Sequence, residues 1–493
     1  MSAALFIAWL DTRTILVFFV TSLVILWFMR RPKNLPPGLV SLPLVGSIPG
    51  LVIEYYRLGK PKPHDLLRYL AEKHGKLYSL RLGPMLVVVA NDYYSIKEVG
   101  QHHCTANRPN QINDLLDGDG IALCSGEPWL QQRRFTLTTM RSFGVGKMSF
   151  EEQISEETDH LLKEFQKHNG KPFDPKFPIL NSTANVLCSV MFGKRYEYTD
   201  DEFHSLLDII DRLTKSVGSG GAKMYVPILR NLIGNKDEDL FTDFVRFLRK
   251  VVLDHQNLYD SQNLHDYIDV YLREMELSRD ATSRLSEPNL VASLVHLFFA
   301  GTDTSANTIR WALLYMIQYP QIQKKVQEEI DSVVGRNRHP KLTDRPHLLY
   351  TDAVIHEVSR MCTVLPLSVP HSASQDFTIR GYNIPKDTVL VYNLWAAHND
   401  PDMWKDPETF HPERFLDGKG GLHKTEFVIP FSLGRRQCIG EQLARKEVFI
   451  FFTHLMHRFT FKKPNDKPLN FKGELGITYS PVTFDICAIV RDL

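Results

Sequence analysis

One cysteine near the C-terminus lies in a setting that favours metal chemistry. Cys438 is bracketed by Gly434 and Gly440, and apolar side chains follow it at i, i+3 and i+4 spacing, which predicts a helix. Unpaired N–H groups and the dipole at a helix N-terminus lower the pKa of a nearby thiol. Glycines lack a Cβ, so they allow sharp turns and the close approach of a flat ligand. These features predict a metal-binding thiolate.

The other cysteines limit the kind of metal site that Cys438 can form. An isolated cysteine is more often a buried structural thiol than a ligand. Cys362 and Cys487 are its nearest cysteines in the sequence, so no CxxC pair is present to build a zinc or iron–sulfur site. One thiolate can still be the single protein ligand of an iron atom whose in-plane positions belong to a macrocycle. Arg435 and Arg436 would then lie near the carboxylates of that macrocycle.

This run resembles the haem-binding signature FxxGxRxCxG of the cytochrome P450 monooxygenases, with Phe431, Gly434, Arg436, Cys438 and Gly440 in register. The resemblance implies haem b as the cofactor, with the Cys438 thiolate bound to its iron, a ligand that favours O–O cleavage. It also implies that Arg436 pairs with a haem propionate. The segment from Asn185 to Tyr196 resembles the microsomal family-2 branch of this family.

A tryptophan and an arginine four residues apart form the next candidate element. A helix would place Trp129 and Arg133 on one face, with an indole N–H beside a guanidinium. Taken alone, such a pair is usually a surface feature. The spacing resembles the family's WxxxR element, which implies contacts with haem propionates. Arg108 and His371 stand where relatives have further propionate ligands, and such pairing would offset the cost of burying carboxylates.

A polar cluster lies inside a long apolar helical segment. The pattern predicts a helix that begins after the N-cap Ser286 and runs to Tyr319, where a proline ends it. Its middle, residues 300–305, reads Ala-Gly-Thr-Asp-Thr-Ser. The simpler interpretation has hydroxyls bonded to the preceding turn and Asp303 in solvent. The run resembles the family's oxygen-activation motif (A/G)Gx(D/E)T(T/S), which implies that Thr304 and Asp303 are catalytic and deliver protons to dioxygen.

Small residues in this cluster suggest a space beside the helix. Gly301 lowers helix propensity by about 1 kcal/mol relative to alanine, so we expect a compensating role. Ala300, Thr304 and Thr308 share one face at i+4 spacing. We expect the small residues to leave room for the macrocycle and a diatomic ligand, with a hydroxyl where that room opens.

Two later elements predict a structural network. Glu357 and Arg360 are three residues apart and can pair on one helix, although exposed pairs of this kind contribute little. Their resemblance to the family's ExxR element, together with the Pro-Glu-Arg-Phe run at 412–415, implies a buried network of Glu357, Arg360 and Arg414 behind the haem. Residues 364–369, just before His371, predict a strand.

The composition excludes one class of partner. The chain carries 58 Lys and Arg against 57 Asp and Glu, whereas a nucleic-acid-binding protein would show a basic excess or stripe. The chain has no evident flavin or nicotinamide fingerprint, so electrons must come from outside. The resemblance implies an NADPH-dependent diflavin reductase, with cytochrome b5 as a second candidate donor. The basic residues that could steer an acidic reductase surface are Arg134, Lys424, Arg435 and Lys446.

The N-terminal residues predict a membrane anchor. Residues 1–30 hold two apolar runs, the second of them Thr14 to Met29, which would be about 24 Å long as a helix. A cleaved signal peptide is the alternative, but no basic region leads it and no small-x-small site follows. Arg30, Arg31 and Lys33 outweigh Arg13, so the positive-inside rule predicts that the body of the protein lies in the cytosol. The family resemblance implies that the membrane is that of the endoplasmic reticulum. The scattered cysteines suit the reducing cytosol.

We therefore expect a mainly α cytochrome P450 fold with a smaller β region, in which a single haem domain follows the membrane anchor. The expected segments are the anchor at 1–30, a proline-rich linker at 31–50 and the monooxygenase domain at 51–493. Strands are predicted at Leu77–Leu82 and Met85–Ala90, with a helix over His64–Lys73 before them.

The expected reaction inserts one atom of O2 into a lipophilic substrate such as a fatty acid, a steroid or a foreign compound. A haem-thiolate isomerase or dehydratase of lipid peroxides is one alternative, which Thr304 and Asp303 disfavour because such an enzyme needs no proton delivery to O2. A membrane haem carrier without turnover is another. The apolar residues predicted to line the substrate pocket are Leu297, Phe299, Ala300, Leu365, Val369 and Ile477.

Overall fold

The computed structural model describes residues 12–29, 32, 34–42, 44–109, 116–142, 149–219, 238–278 and 283–491. Most of these residues are helical and a minority form short strands, which confirms the mainly α fold class. The chain divides into two compact units. The first comprises Met1–Pro109 with Val369–Asn393, and the second comprises Asn110–Ser368 with Leu394–Leu493.

The first unit contains a four-stranded sheet. Its strands and those of a separate hairpin are β1 Leu77–Leu82, β2 Met85–Ala90, β3 His371–Ser372, β4 Phe377–Ile379, β5 Tyr382–Ile384 and β6 Val389–Tyr392. The sheet has the order β1-β2-β6-β3, and β4 pairs with β5. Its helices are α1 Thr12–Met29, α2 Ile48–Arg57, α3 Pro63–His74 and α4 Tyr93–Gln101.

The predicted hairpin of β1 and β2 forms with the predicted bounds, and its antiparallel register pairs Leu77 with Ala90. Gly83 adopts a positive φ of 61° in the connecting turn, a conformation that favours glycine. Strand β6 joins β2 in parallel and pairs Val389 with Val87. The β2 residues Val87, Val88 and Val89 are each at most 4% exposed, which fits a strand covered on both faces.

The proline-rich linker pairs with the sheet rather than standing apart as a spacer. The Ser79 N–H donates to the Pro37 carbonyl at 2.7 Å, and the Ser47 N–H donates to the Arg81 carbonyl at 2.5 Å. A Cβ on Gly38 would lie 1.8 Å from the Ser79 carbonyl oxygen, so only glycine fits there. Its residues Arg31, Lys33 and Pro43 lie outside the described residues.

The predicted anchor coincides in part with helix α1. Apolar side chains along α1 are exposed, including Leu16 at 63% and Phe18 at 74%. Across the part of the chain that the structure describes, no helix combines the length and apolar character needed to cross a bilayer. The first apolar run of the predicted anchor, together with Arg30 and Arg31, lies outside the described residues. The anchor at 1–30 therefore stays a prediction.

The second unit is built mainly from helices. They are α5 Gly126–Ser142, α6 Ser149–Lys167, α7 Lys176–Met191, α8 Asp201–Ser219, α9 Glu238–Leu258, α10 Tyr267–Leu277, α11 Glu287–Gln318, α12 Pro320–Val334, α13 Leu349–Cys362, α14 Leu394–His398 and α15 Glu441–Arg458. Its strands are β7 Phe459–Lys462, β8 Glu474–Leu475, β9 Tyr479–Ser480 and β10 Cys487–Val490. Strand β7 pairs with β10, and β8 pairs with β9.

Helix α11 runs through the core of the second unit and begins and ends where the sequence predicts. The Ser286 hydroxyl accepts from the Asn289 N–H at 3.4 Å as an N-cap, and the helix ends at Gln318, before the cap Tyr319. It packs on α7, α9, α13 and α15. Phe298 and Leu313 are fully buried on it, and burial of such a side chain contributes about 2 kcal/mol.

The strand predicted over residues 364–369 does not form. Thr363 and Ser368 adopt positive φ values of 34° and 55°, which are incompatible with an extended run. The segment turns instead, and the Ser368 N–H donates to the Leu365 carbonyl at 3.2 Å. The strand begins only at His371. The apolar residues of this segment indicate that it is buried, but they do not determine its backbone conformation.

Candidate functional site

The Cys438 loop is held by its own backbone. The Cys438 N–H donates to the Phe431 carbonyl at 3.0 Å, and the Gln437 N–H donates to the Gly434 carbonyl at 3.1 Å. Gly434 adopts a φ of 88°, so the first glycine serves the turn as predicted. Gly440 is the N-cap of α15, which places Cys438 two residues before that cap. The loop thus presents the thiol at the N-terminal end of a helix.

Burial, and not the helix end, dominates the pKa of Cys438. The side chain has accessible surface, yet desolvation by the surrounding protein raises the pKa of the thiol. The backbone N–H groups of Gly440 and Glu441 and the charge of Arg133 act in the opposite direction and are outweighed. The expected lowering of this pKa was therefore wrong, because spacing shows the helix end but not the tertiary packing around the sulfur. A coordinated metal cation would itself deprotonate the thiol.

The structure brings the predicted cationic residues of the second unit around this loop. An Arg133 Nη donates to the Gln437 carbonyl at 2.8 Å. The Arg436 guanidinium lies 3.8 Å from the Trp129 ring centre and donates to the backbone carbonyls of Cys124 and Ile121. Trp129 and Arg436 are 4% and 8% exposed. Trp129 thus supports Arg436 through its ring face, a contact that the i, i+4 argument with Arg133 did not anticipate.

Arg108 and His371 come together within the first unit. An Arg108 Nη donates to the carbonyls of Val369 and Pro370, both at 2.8 Å. The His371 Nδ1–H donates to the Thr105 carbonyl at 2.8 Å, since a carbonyl can only accept. In the neutral ring this leaves Nε2 as an acceptor, so His371 would have to be protonated to donate to a carboxylate from that nitrogen.

The predicted polar stripe of α11 has accessible surface. Ala300 is exposed and Thr304 and Thr308 are half-buried, whereas the residues on either side of them in sequence are mostly buried. The Thr304 hydroxyl donates to the Ala300 carbonyl at 2.8 Å, and the Thr308 hydroxyl donates to the Thr304 carbonyl at 2.9 Å. The hydroxyls therefore bond to the preceding turn, as the simpler interpretation expected, and still lie on an accessible face.

Gly301 serves helix packing. A Cβ at this position would lie 2.7 Å from Cδ1 of Leu187 on α7, well inside van der Waals contact. The missing side chain therefore lets α7 and α11 approach each other. The expectation that Gly301 makes room for a macrocycle is replaced by this packing role, while Ala300 keeps the accessible position.

Asp303 is buried, in contrast to the solvated side chain of the simpler interpretation. The Thr478 hydroxyl donates to the Asp303 carboxylate at 2.5 Å, and Asp303 is 6% exposed. Asn307 donates to Thr478 at 3.3 Å, and Arg310 donates to Asn307 at 2.9 Å. Burial raises the pKa of Asp303, and the hydrogen bond from Thr478 opposes that rise. Asp303 thus ends a buried chain of polar side chains.

A second buried acid was missed by sequence reasoning. The Ser305 hydroxyl donates to one carboxylate oxygen of Glu447 on α15 at 2.6 Å. Among the described residues the other carboxylate oxygen has no hydrogen-bond partner. Burial raises the pKa of Glu447 to about 8, so it is mostly protonated at neutral pH. Nothing in the sequence marks this residue, since Ser305 and Glu447 are 142 positions apart.

His296 was missed although its position carried a signal. It stands four residues before Ala300, on the same stripe of α11. Its Nδ1 accepts from the backbone N–H groups of Ile121 and Ala122 at 3.2 and 3.3 Å. Burial lowers the pKa of His296 to about 4. The neutral ring therefore holds the segment before α5 onto α11.

The predicted structural residues form one buried network. Arg360 donates twice to the Glu357 carboxylate, each time at 2.8 Å, and Arg414 donates to it at 3.0 Å. Arg360 also donates to the carbonyls of His398 and Pro407 at 2.8 Å. Glu357 and Arg360 have no exposed side-chain surface, so both charges depend on this pairing.

The predicted pocket residues are divided between the two units. Leu297 is 8% exposed, and Phe299, Leu365 and Ile477 are half-buried in the second unit. Val369 belongs to the first unit, where its carbonyl accepts from Arg108. The lining of a shared pocket therefore stays a prediction.

The donor set at Cys438 fits an iron porphyrin. Cys438 belongs to none of the groups of three or more His, Cys, Asp and Glu side chains that could chelate a metal within the described residues. A metal bound there would therefore depend on a non-protein ligand for its other positions, as haem provides. Arg133 and Arg436 place cationic groups near the thiol, where a macrocycle would bring carboxylates.

Comparison with known proteins agrees with this assignment. The family model described as cytochrome P450 matches residues 36–488. The chain is 42% identical over 470 residues to cytochrome P450 2J2 of Homo sapiens, covering 93% of this chain and 92% of that protein. It is 42% identical to cytochrome P450 2J1 of Oryctolagus cuniculus, covering 98% and 97%, and 39% identical to cytochrome P450 2U1 of Homo sapiens, covering 93% and 89%.

Proposed function

The chain belongs to the cytochrome P450 family, and on that premise we propose that it inserts one atom of O2 into a lipophilic substrate with electrons from NADPH supplied by a diflavin reductase. Members of this family are haem-dependent monooxygenases that use haem b, so the predicted enzyme class and cofactor are confirmed. The observation that carries the proposal is the exposed Cys438 thiol in its signature loop at the N-terminal end of α15. An accessible hydroxyl stripe on α11 supports it.

Bound haem would supply the binding and activation of dioxygen. Cys438 would hold it through its thiolate, and Arg133 and Arg436 would pair with its propionates. Arg108 and His371 are proposed as further propionate ligands. Thr304 Oγ1 would hold a water molecule and pass on a proton, and the buried Asp303 would be the acid that resupplies it.

The substitution Thr304→Ala tests this assignment of roles. A monooxygenase that uses the Thr304 hydroxyl should lose product and release more peroxide per NADPH consumed. Thr308→Ala is a matched control, because it removes an equivalent bond to the preceding turn on the same stripe. A haem-thiolate isomerase or a haem carrier should be indifferent to both substitutions. Equal peroxide release by the two variants would contradict the role of Thr304.

The apolar side chains of Leu297, Phe299, Leu365 and Ile477 support a lipophilic substrate. A fatty acid, a steroid and a foreign compound are the candidate classes of substrate. A panel of lipophilic ligands, scored by the change in haem spin state on binding, would rank these classes. If the ligands of all three classes shift the spin state only at their solubility limits, a lipophilic substrate of these classes is contradicted.

The proposed reductase would bind through Arg134, Lys424 and Arg435, each of which is exposed. Lys446 is half-buried, and burial lowers its pKa while Glu151 opposes the change, so it is a weaker candidate for steering.

Charge reversal at Arg134 and Arg435 should slow haem reduction by the reductase and reduce its salt dependence. Lys324→Glu, an exposed charge on α12, is the control. Unchanged salt dependence in the double variant would contradict the docking proposal. Cytochrome b5 would compete for the same residues.

Membrane association is proposed from the exposed apolar side chains of α1. We infer that the first 30 residues hold the enzyme at the endoplasmic reticulum membrane with its catalytic residues facing the cytosol. Full-length protein should resist alkaline carbonate extraction, and a variant that lacks residues 1–30 should be released. Equal extraction of both proteins would contradict the anchor.

A further inference from the structure

A cluster of imidazole and carboxylate side chains lies apart from Cys438 in the second unit. Asp159 stands on α6, His339 follows α12, and His454 and His457 lie on α15. One potential ligand atom from each of Asp159, His339 and His454 lies within 4.8 Å of the other two. Imidazole nitrogen and carboxylate oxygen are the donor types that zinc and its neighbouring divalent metals prefer.

Hydrogen bonds fix the tautomer of the two histidines of α15, so that each ring keeps a lone pair on Nδ1 that could bind a metal. The His454 Nε2–H donates to the Pro340 carbonyl at 2.9 Å, and the His457 Nε2–H donates to the Gly335 carbonyl at 2.9 Å. A carbonyl accepts only, so each neutral ring keeps its lone pair on Nδ1. A second hydrogen bond of this kind commonly orients metal-bound histidine.

The nitrogens left over are buried and lack partners. Within the described residues, Nδ1 of His339, His454 and His457 has no hydrogen-bond partner and almost no accessible surface. His454 and His457 are each 1% exposed. Burial lowers the pKa of His454 to about 3, and His339 and His457 add to the effect. The ring is therefore neutral at physiological pH and can offer a lone pair to a metal. The unpartnered, buried Nδ1 of His454 carries a desolvation cost that a bound cation would offset.

The half-exposed residues Asp159 and His339 give the cluster a negative charge and a route by which a metal ion could enter from solvent. The His339 Nε2 lies 3.6 Å from a carboxylate oxygen of Asp159, and their side chains are 43% and 46% exposed. The rings of His339 and His454 are stacked, with centres 4.7 Å apart. Three ligands of one Zn²⁺ lie about 3.0–3.5 Å apart when each bond is about 2.0–2.2 Å. Rotation of the exposed Asp159 and His339 side chains can close that difference while His454 stays fixed.

We propose that Asp159, His339 and His454 bind a divalent transition metal ion, with Zn²⁺ as the reference ion and His457 or water completing the coordination. The ion would join α6, the segment after α12 and α15. The Leu342 N–H already donates to Glu151 of α6 at 2.7 Å, so these elements are in contact. Because α15 begins just after the Cys438 loop, the ion would stabilise the helix that supports the thiol.

The test measures zinc retained by the holoenzyme, purified without a polyhistidine tag. After dialysis against micromolar Zn²⁺ and desalting, mass spectrometry of the metals gives the ratio of zinc to haem iron. We expect about one zinc per iron in the wild type and at least a tenfold loss of affinity in His454→Gln and in Asp159→Asn. His347→Gln removes an exposed histidine from the neighbouring 3-10 helix Leu342–His347 and should keep the wild-type ratio.

A second readout separates metal binding from folding. Asp159 and His339 are half-exposed, so Asp159→Asn and His339→Gln should keep their haem and their carbon monoxide spectrum. Zn²⁺ should raise the thermal midpoint of the wild type and of His347→Gln but not of these two variants. The proposal is wrong if the wild type retains no zinc above the buffer blank, or if all variants bind and respond to zinc equally.

Discussion

Thr478 donates a 2.5 Å hydrogen bond to the buried carboxylate of Asp303, 175 residues away in the sequence. The bond opposes the rise in the Asp303 pKa that burial causes. Thr478 is therefore the residue that orients the proposed proton source, and Asn307 and Arg310 extend the chain behind it.

The substitution Thr478→Val should raise the pKa of Asp303 further, because a methyl group replaces the donor at equal volume. A hydrogen bond to a charged group contributes about 1.5–3 kcal/mol, so we expect roughly a tenfold loss of product formation. Peroxide release per NADPH should increase. Thr478→Ser keeps the hydroxyl and should retain most activity. If the valine variant forms as much product and releases as little peroxide per NADPH as the wild type, Thr478 has no such role.

Glu447 predicts a pH-dependent stability. Burial raises its pKa from 4.5 to about 8, so the folded protein holds the proton more tightly than the unfolded chain does. Its contribution is fully present below pH 4.5 and is lost as the pH rises through 8. At about 1.4 kcal/mol per pKa unit, the rise from 4.5 to about 8 corresponds to a loss of about 5 kcal/mol.

Glu447→Gln removes the titrating group and should therefore gain thermal midpoint relative to the wild type as the pH rises from 5.5 to 8.5. We expect a relative gain of more than about 2 °C. Glu426→Gln, at an exposed position, should show no such trend. Parallel curves for wild type and Glu447→Gln would contradict a neutral buried acid.

The contact between Gly301 and Leu187 predicts a steric penalty. Gly301→Ala adds a Cβ that would lie 2.7 Å from Leu187 Cδ1. Overpacking of this kind costs about 1–3 kcal/mol, which outweighs the gain of about 1 kcal/mol in helix propensity. The thermal midpoint should fall in the wild-type background and fall much less in Leu187→Ala. An equal fall in thermal midpoint in both backgrounds would contradict a packing role for Gly301 against Leu187.

The Glu357 network predicts a large loss of stability on truncation. Glu357→Ala leaves Arg360 and Arg414 without their shared carboxylate, and breaking a buried pair costs about 3–5 kcal/mol. The yield of haem-loaded protein should collapse. Lys325→Ala breaks the exposed bridge to Glu413 and should cost about 0–1 kcal/mol. Similar yields for both variants would contradict a structural role for Glu357.

Features encoded by neighbouring residues could be predicted from the sequence. The caps of α11, the hairpin of β1 and β2 and the turn at Gly434 depend on residues a few positions apart, and they form where expected. The family was also recognisable, because its motifs are local runs. These motifs indicate haem-thiolate chemistry through single residues such as Cys438.

Features that depend on tertiary packing could not be predicted. The partners of Asp303 and Ser305 come from segments more than 140 positions away. The pKa of Cys438 rises because protein surrounds the sulfur, which local spacing does not reveal. The segment 364–369 turns because Thr363 and Ser368 adopt positive φ, a conformation that their residue types do not demand.

The carbon monoxide spectrum of the reduced protein tests the central claim most directly. With the Cys438 thiolate on the haem iron, wild-type protein should show a Soret band shifted strongly to the red. Cys438→Ser should abolish that band, while a conservative change at the buried Cys362 should leave it unchanged. Absence of the shifted band in the wild type, or its persistence in Cys438→Ser, would contradict thiolate ligation by this residue.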